Sequence, residues 1–165
     1  MTTHYLDMEI RTLLPPPWPL LASLIAASCD EGFTFLVRLQ DEYISGKVCF
    51  DSAGEALFGA FQATRLIGIG GLTHDPYGDE PNTGRIRHLY VLPLWRRHGV
   101  GACLLAEIQR HAQTHFTTLV LRSDTEIGAS FYESLGYERS IAGAAATHRR
   151  NLIGQPLATR IPISG

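Results

Sequence analysis

The sequence predicts an α/β fold in a single domain, and three observations indicate it. Short apolar segments rich in β-branched and aromatic residues alternate with segments whose apolar residues recur every three to four positions. An apolar strand at residues 86–92 ends at Pro93 and is followed by glycines that lead directly into an amphipathic helix. The length of 165 residues is typical of one domain, residues 1–165, with a complete hydrophobic core.

The elements follow from local patterns of apolar spacing, prolines and glycines. A strand and two helices come first, then three strands, a helix, a strand, a further helix and the last strands. The predicted strands are residues 8–14, 56–62, 66–72, 85–92, 117–122, 137–141 and a segment within 146–153, with the C-terminal tail as a candidate addition to the sheet. The predicted helices are residues 19–29, 33–44, the stretch from the glycines to about residue 116, and 126–135, while 63–65 is a turn and 74–84 a loop.

Composition and charge narrow the function classes. The formal net charge is −2, so no basic field favours binding to a nucleic-acid backbone. The three cysteines, Cys29, Cys49 and Cys103, show no C-x-x-C spacing, which is typical of reduced thiols in a cytoplasmic protein. The apolar run at residues 20–29 follows a proline cluster and is too short to span a membrane, so we interpret it as the buried face of the first helix.

The segment RRHGVG at residues 96–101 is typical of a phosphate-binding turn. Where a helix begins behind a turn, backbone N–H groups and the positive end of the helix dipole point toward the same place. Gly99 and Gly101 lack a Cβ, so a diphosphate can approach the main chain closely. Three cationic side chains lie beside them in sequence: Arg96, Arg97 and His98. The alternative is a helix that merely starts after a glycine-containing loop.

Two motifs together resemble those of a known family. The stretch LYVLPLWRRHGVGACLL at residues 89–105 matches the pattern V-x-P-x-x-R-x-x-G-x-G followed by a helix. Further along, GASFYESLGY at residues 128–137 contains the pattern Y-E-x-x-G-[FY]. In this order and spacing, the two motifs resemble the GNAT superfamily of acetyl-CoA-dependent N-acetyltransferases.

The resemblance implies a mixed, mostly antiparallel twisted sheet with helices on both faces and two central parallel strands that splay apart. Acetyl-CoA is then expected between the strand that ends at Leu92 and the strand at 117–122, with its pyrophosphate on the amides of residues 97–102. Main-chain groups of residues 89–91 are expected to pair with the pantetheine arm as an added strand would. The cofactor-binding residues implied in this way are Leu89, Tyr90, Val91, Arg96, Arg97, His98, Gly99, Val100, Gly101, Ala102, Thr125 and Tyr132.

Two residues are candidates for proton transfer. The resemblance implies that Tyr132 lies near the sulfur of CoA and protonates the departing thiolate, and the alternative is a core tyrosine beside Phe131. Many relatives carry a carboxylate base on the strand before the glycine turn, where this chain has His88. An imidazole titrates near neutrality and could collect the proton of the amine, although a structural histidine is an equal alternative.

Two positions depart from the family pattern. Val120 stands where other relatives place a glutamate base, so that route is missing. Thr125 stands where many relatives have an asparagine that contacts the cofactor, and a hydroxyl can make only part of the hydrogen bonds of an amide.

A pair of histidines and an acidic loop could each be functional, but each also has a simpler structural interpretation. His111 and His115 lie one helical turn apart and could share a metal, but no third ligand is apparent, so no metal site is predicted. The acidic residues of loop 74–84 could attract a cationic amine or could simply be solvated: they are Asp75, Asp79 and Glu80.

The predicted function is transfer of an acetyl group from acetyl-CoA to a primary amine of a small molecule or peptide, by direct attack in a ternary complex. A backbone N–H near Val91 would polarise the carbonyl oxygen. The altered positions Val120 and Thr125 leave a second hypothesis, a non-catalytic acyl-CoA-binding sensor or scaffold, and transfer of a longer acyl group is a third. Neither nucleic acid nor membrane is expected as a partner, a homodimer stays open, and the sequence does not identify the acceptor.

Overall fold

The computed structural model describes residues 7–141 and 144–156, and a seven-stranded sheet forms its centre. The strands are β1 (Met8–Thr12), β2 (Ala56–Gln62), β3 (Arg65–His74), β4 (Thr83–Val91), β5 (Thr118–Leu121), β6 (Glu138–Arg139) and β7 (His148–Asn151). The helices are α1 (Trp18–Asp30), α2 (Phe35–Ile44), α3 (Val100–Ala112) and α4 (Glu126–Ser134). The strands lie in the order β1-β2-β3-β4-β5-β7-β6, and only β4 and β5 run parallel. The predicted mixed, mostly antiparallel sheet is therefore confirmed.

Helices cover both faces of this sheet, so it has two hydrophobic cores. On one face, Leu104 and Ile108 of α3 pack with Ile86 of β4 and Tyr132 of α4. On the other face, the buried leucines of α1 and α2 pack against β2, β3 and β4: they are Leu21, Leu24, Leu36 and Leu39. Burying apolar side chains on both faces stabilises the sheet by roughly 1.5–3 kcal/mol for each fully buried side chain.

Several element ends differ from the predicted ones. Helix α3 ends at Ala112 rather than near residue 116, because tight turns follow and Thr117 already donates its N–H to the carbonyl of Asn82. The predicted strand at 137–141 pairs only at Glu138–Arg139, because the N–H of Tyr137 closes the end of α4 on the carbonyl of Tyr132. The loop predicted at residues 74–84 is shorter in the structure, since β3 extends to His74 and β4 begins at Thr83. The suggested addition of the tail concerns residues 157–165, which lie outside the described residues.

None of the three cysteines forms a disulfide within the described residues; Cys29 is exposed and Cys103 is buried. Within residues 7–141 and 144–156, no helix combines the length and the apolar character that crossing a membrane would require.

Candidate active site

The parallel pair β4–β5 opens into a gap. The two strands pair only at their first residues, with Thr83 opposite Thr118, Gly84 opposite Leu119 and Arg85 opposite Val120. Beyond Arg85, residues 86–91 have no strand partner on the β5 side in the part of the chain that the structure describes. This open edge includes Leu89, Tyr90 and Val91, as the resemblance implied. Unpaired main-chain groups of this kind can bond to an extended ligand that lies along them.

The turn after β4 presents free backbone amides. Arg97 and Gly99 both adopt left-handed backbone conformations, with φ of 63° and 79°. No side chain caps α3, whose first intrahelical bond is from the N–H of Cys103 to the carbonyl of Gly99. The N–H groups of Val100, Gly101 and Ala102 therefore have no hydrogen-bond partner among the described residues. Successive amides in such a turn, together with the helix dipole, form an anion-binding concavity.

Gly101 lies where α3, α4 and β4 approach one another. A Cβ at this position would sit 3.4 Å from the Phe131 ring and 3.8 Å from the side chain of Val91, which are ordinary van der Waals distances. The free protein would therefore accept one methyl group there. The methyl groups of a larger, branched side chain would crowd the side chains of Phe131 and Val91.

Arg96 is bonded toward α1 rather than toward the free amides. Its guanidinium makes two bonds to the carboxylate of Glu31, at 2.6 and 2.7 Å, and its Nε donates to the carbonyl of Val91 at 3.0 Å. The hydroxyl of Tyr90 donates to the same carboxylate at 2.6 Å, and the hydrogen bond from Arg96 lowers the pKa of Glu31. Of the three cationic side chains expected at the turn, Arg97 and His98 have no such partner in the described part of the chain.

A β-bulge in the middle of β4 determines where its side chains point. Arg87 pairs with Gly71 and Tyr90 with Ile69, so two residues, His88 and Leu89, lie opposite Gly70. His88 has a φ of 58°, in the left-handed region. An extra residue shifts the alternation of a strand. Even-numbered residues before the bulge therefore lie on the same face as odd-numbered residues after it. Ile86, Leu89 and Val91 pack in the α3 core, whereas Arg87, His88 and Tyr90 contact the α1–α2 side.

His88 lies in a site that disfavours its protonated form. Both ring nitrogens are buried without a hydrogen-bond partner among the residues described, and the ring lies edge-on to Phe50 at 6.3 Å between centroids. Burial, followed by the positive charges of Arg87 and Arg38, lowers the pKa of His88 to about 3. The imidazole is therefore neutral at physiological pH and only weakly basic.

Tyr132 of α4 is buried and keeps its proton. Its ring contacts Phe131, Tyr137 and His148, with centroid separations of 5.1, 5.7 and 6.4 Å. Its hydroxyl has no hydrogen-bond partner in residues 7–141 and 144–156, although the side chain lines a pocket. Burial raises the pKa of Tyr132 well above its ordinary value. The phenol is therefore available as a hydrogen-bond or proton donor at neutral pH.

One pocket brings the two proton-transfer candidates together. It has a volume of about 220 Å³, which suits a small group rather than a whole dinucleotide-sized ligand. The open part of β4 forms one wall, and the other lining side chains come from α2, the β3–β4 loop, the end of β5 and α4. The residues around it are Phe35, Arg38, Tyr77, Arg85, Ile86, Arg87, His88, Leu89, Arg122, Asp124 and Tyr132.

The sequence interpretation missed the arginines of this pocket. Arg85 and Arg87 lie two residues apart on β4, a spacing that puts both on one face of a strand and could have indicated them. Arg38 and Arg122 carry no such local signal, since α2 and the end of β5 meet only in the folded chain.

The structure shows where the two positions that depart from the family pattern, Val120 and Thr125, lie. Val120 is buried in β5 opposite Arg85, so no carboxylate reaches the gap from there. Thr125 caps α4, and its hydroxyl oxygen accepts the N–H of Gly128 at 3.1 Å. That hydroxyl still has a proton to donate.

The two remaining sequence hypotheses concern His111 with His115 and the acidic loop. The two histidine rings stack at 5.2 Å, and the described residues hold no group of three or more His, Cys, Asp or Glu that could bind a metal. In the loop, Asp75 pairs with the buried Arg85 at 3.4 Å, and Glu80 pairs with Arg149 at 3.3 Å. Asp75 and Glu80 therefore compensate arginines of the protein itself.

The fold and site together define a class of α/β protein whose sheet is split between two parallel strands, with free backbone amides at the turn that follows the first of them. The model of a family described as an acetyltransferase (GNAT) domain matches residues 53–139. A crystal structure of a proposed acetyltransferase from Exiguobacterium sp. 255-15 is 32% identical with a TM-score of 0.75, and the match covers 88% of this chain and 93% of that one. The chain belongs to the GNAT acetyltransferase family.

A solved structure of lower identity agrees in fold, and one curated protein matches part of the sequence. The PaiA N-acetyltransferase of Thermoplasma acidophilum, solved in complex with coenzyme A, is 18% identical with a TM-score of 0.65, over 88% of this chain and 99% of that one. An uncharacterized protein of Mycobacterium leprae (strain TN) is 34% identical over 84 residues, which are 49% of this chain. The match covers 22%, about a fifth, of the length of that curated protein.

Proposed function

We propose that this chain is an N-acetyltransferase that transfers the acetyl group of acetyl-CoA to a primary amine of a small molecule or peptide by direct attack in a ternary complex. One observation supports this proposal most: a single pocket joins the open edge of β4 to the Tyr132 side chain. A ligand bound along that edge would have its reactive end beside a protonated phenol.

The residues present fit coenzyme A. The free amides of residues 100–102 and the left-handed turn before them are suited to a diphosphate, and Gly101 has no Cβ to keep it away from the main chain. The open edge at residues 89–91 can pair with an amide-containing arm. When bound, acetyl-CoA supplies an acetyl group activated as a thioester.

Tyr132 is the proposed general acid. Because burial raises the pKa of Tyr132, the phenol stays protonated at neutral pH and can donate to the thiolate as the C–S bond of the thioester breaks. A backbone N–H of the open edge near Val91 is the proposed donor to the carbonyl oxygen of the acetyl group.

The proton of the amine has a less obvious destination. A pKa of about 3 makes His88 a poor acceptor for an ammonium proton, and Val120 offers no carboxylate. We therefore favour water as the acceptor and assign to His88 a role in shaping the wall of the pocket.

The first test distinguishes an enzyme from a binding module. We expect the purified chain to release the CoA thiol from acetyl-CoA in the presence of primary amines, in a screen of amino acids, polyamines, aminoglycosides and peptide N-termini. Calorimetry should show acetyl-CoA binding in the same preparation. Binding without amine-dependent thiol release would support the sensor or scaffold hypothesis, and faster release from a longer thioester would support the third hypothesis.

The second test concerns His88. With a folded pKa of about 3, His88 should contribute no limb to the dependence of kcat/KM on pH between pH 5 and 8. We expect one limb that follows the ionisation of the acceptor amine, measured with two acceptors of different basicity, and the same limb in His88→Gln. A limb near pH 6–7 that stays fixed between acceptors and disappears in His88→Gln would restore the histidine as the base.

A stability measurement gives an independent check on the same residue. Because the folded pKa of His88 lies below the ordinary value, the unfolded chain binds a proton that the folded chain excludes. The stabilising contribution is full above about pH 6.5 and declines as the pH falls toward 3. The melting temperature of the natural protein should therefore decrease more steeply between pH 7 and pH 5 than that of His88→Gln.

A further inference from the structure

The wall of the pocket is rich in arginine and poor in carboxylate. Four guanidinium groups line it, and the only carboxylate among the lining residues is that of Asp124. A cluster of guanidinium groups binds carboxylate and phosphate oxygens well, because each presents several N–H donors in a planar fork.

Two of these arginines are fixed and neutralised by buried partners. Arg87 pairs with Glu42 of α2 at 3.2 Å, and Arg85 pairs with Asp75 at 3.4 Å. The Arg87 side chain is 11% exposed and that of Glu42 12%, so this pair is held largely away from water. One carboxylate oxygen engages one terminal nitrogen of each arginine, and the second terminal nitrogen of Arg85 donates to the carbonyl of Ala145 at 3.3 Å. The N–H groups that remain can bond to other acceptors.

The other two arginines keep their charge available. Arg122 pairs with Asp124 at 2.9 Å, but both side chains are more than half exposed, and such a pair contributes little. Arg38 has no ion pair or side-chain hydrogen bond within the described ranges 7–141 and 144–156. Arg38 and His88 line the same pocket. The pocket therefore holds one positive charge that no carboxylate compensates.

We propose that the acceptor amine carries an oxyanion, a carboxylate or a phosphate, and that Arg38 binds this group. The inference rests on the proposed function, because it names the acceptor class of that same site. An acceptor with a second cationic group would instead bring like charges together, which costs binding free energy.

The same charges have a consequence for the nucleophile. A positive charge beside an ammonium group lowers its pKa, so more of the acceptor is in the neutral form that can attack. The arginines would therefore do part of the work of the carboxylate base that is absent at Val120. The arginines repel the ammonium group of the acceptor, but their attraction for its oxyanion keeps binding of the acceptor favourable.

The arginine cluster is distinct from the diphosphate site. None of the residues of the turn at 97–102 lines this pocket, and the pocket lies against the middle of β4 rather than its end. The anion expected here is therefore one that the acceptor brings.

The test uses pairs of acceptors that differ in one charge. One arm compares β-alanine with β-alaninamide, and a second compares phosphoethanolamine with ethanolamine, so that the two sources of the oxyanion are separated. A diamine, 1,3-diaminopropane, is the cationic member. We expect kcat/KM to be at least about tenfold higher for an anionic member than for its neutral partner, because only the anionic member can form a charge-assisted hydrogen bond with Arg38.

Two variants locate the effect. In Arg38→Gln, the ratio of kcat/KM between the anionic and neutral members should fall to about threefold or less, through a higher KM for the anionic one. Arg65→Gln is the matched control, because Arg65 is exposed at the start of β3, outside the pocket. It should keep the ratio of the natural protein.

The outcomes separate this inference from the proposed function. A higher kcat/KM for the neutral members or the diamine, or an unchanged ratio in Arg38→Gln, would overturn the inference and leave acetyl transfer in place. Absence of CoA release with every amine would overturn the proposed function instead. In that case, calorimetry of CoA-saturated protein with β-alanine and with phosphoethanolamine decides the inference: binding that Arg38→Gln weakens supports it, and absence of binding overturns it.

Discussion

Tyr132→Phe is expected to lower kcat by about a hundredfold, because it removes the one proposed proton donor for the departing thiolate. The affinity for acetyl-CoA should change little, since the ring and its contacts with Phe131, Tyr137 and His148 are kept. The hydroxyl makes no hydrogen bond in the described part of the chain, so its removal leaves no buried group without a partner. Steady-state kinetics and calorimetry on the same preparations measure the two quantities.

The structure offers a matched control for this substitution. Tyr137 is also buried, and its ring contacts the ring of Tyr132. Its hydroxyl, however, accepts a hydrogen bond from Gln109 at 2.8 Å, and the residue does not line the pocket. Tyr137→Phe should lower the free energy of unfolding, because the Gln109 amide loses its partner, while kcat stays near that of the natural protein. If Tyr132→Phe turns over as fast as the natural protein, the hydroxyl is not the acid.

Gly101→Val is expected to weaken acetyl-CoA binding by at least about tenfold, which corresponds to roughly 1.4 kcal/mol. The Cβ itself fits, at 3.4 Å from Phe131, but the branched methyl groups would crowd Phe131 and Val91 beside the free amides where the diphosphate is proposed to lie. Calorimetry with acetyl-CoA, after circular dichroism has established that the variant is folded, measures the effect.

A valine in α3 could also change affinity through the helix as a whole rather than through the turn, and this effect needs its own control. Ala106→Val adds the same side chain within α3, away from the turn, and costs about 0.5 kcal/mol in helix propensity. Its affinity for acetyl-CoA should match that of the natural protein. Equal affinities in Gly101→Val and Ala106→Val would mean that the diphosphate does not approach α3 at this glycine.

The main-chain part of the site could be predicted from the sequence because glycine and proline constrain the backbone directly. Pro93 ends the strand, and Gly99 supplies a left-handed residue before α3, so the strand–turn–helix arrangement followed from residue types alone. The order of the two motifs indicated the family, and the split between β4 and β5 followed from the family. Short-range rules were sufficient because these features lie within one stretch of chain.

The surroundings of His88 could not be predicted in this way. The side-chain direction of a strand residue follows from alternation, and the bulge at His88 and Leu89 reverses that alternation without a glycine to mark it. The sequence therefore allowed an ordinary histidine with a pKa near neutrality, whereas the folded chain buries it beside Phe50 and two arginines.

The pocket charges depended on long-range contacts in the same way. The carboxylate that neutralises Arg87 comes from α2, 45 residues earlier in the chain, and the one that neutralises Arg85 comes from the β3–β4 loop. The acidic loop was identified as a candidate for attracting cations, but Asp75 turns inward to its arginine. That Arg38 has no carboxylate partner among the described residues could be seen only once the ion pairs of the other pocket arginines were known.

The bulge in β4 also determines which kinds of sequence change this strand tolerates over evolution. Substitutions along β4 exchange one side chain for another on the same face, and the two faces keep their separate neighbours, the α3 core on one side and the α1–α2 side on the other. An insertion or deletion of a single residue before the bulge would move Arg87 and Ile86 to the opposite faces, bringing a guanidinium into the α3 core and an isoleucine into the pocket. The length of β4 is therefore under stronger constraint than its composition, and a lineage that changes its acceptor can do so by substitution without altering the residue count of this strand.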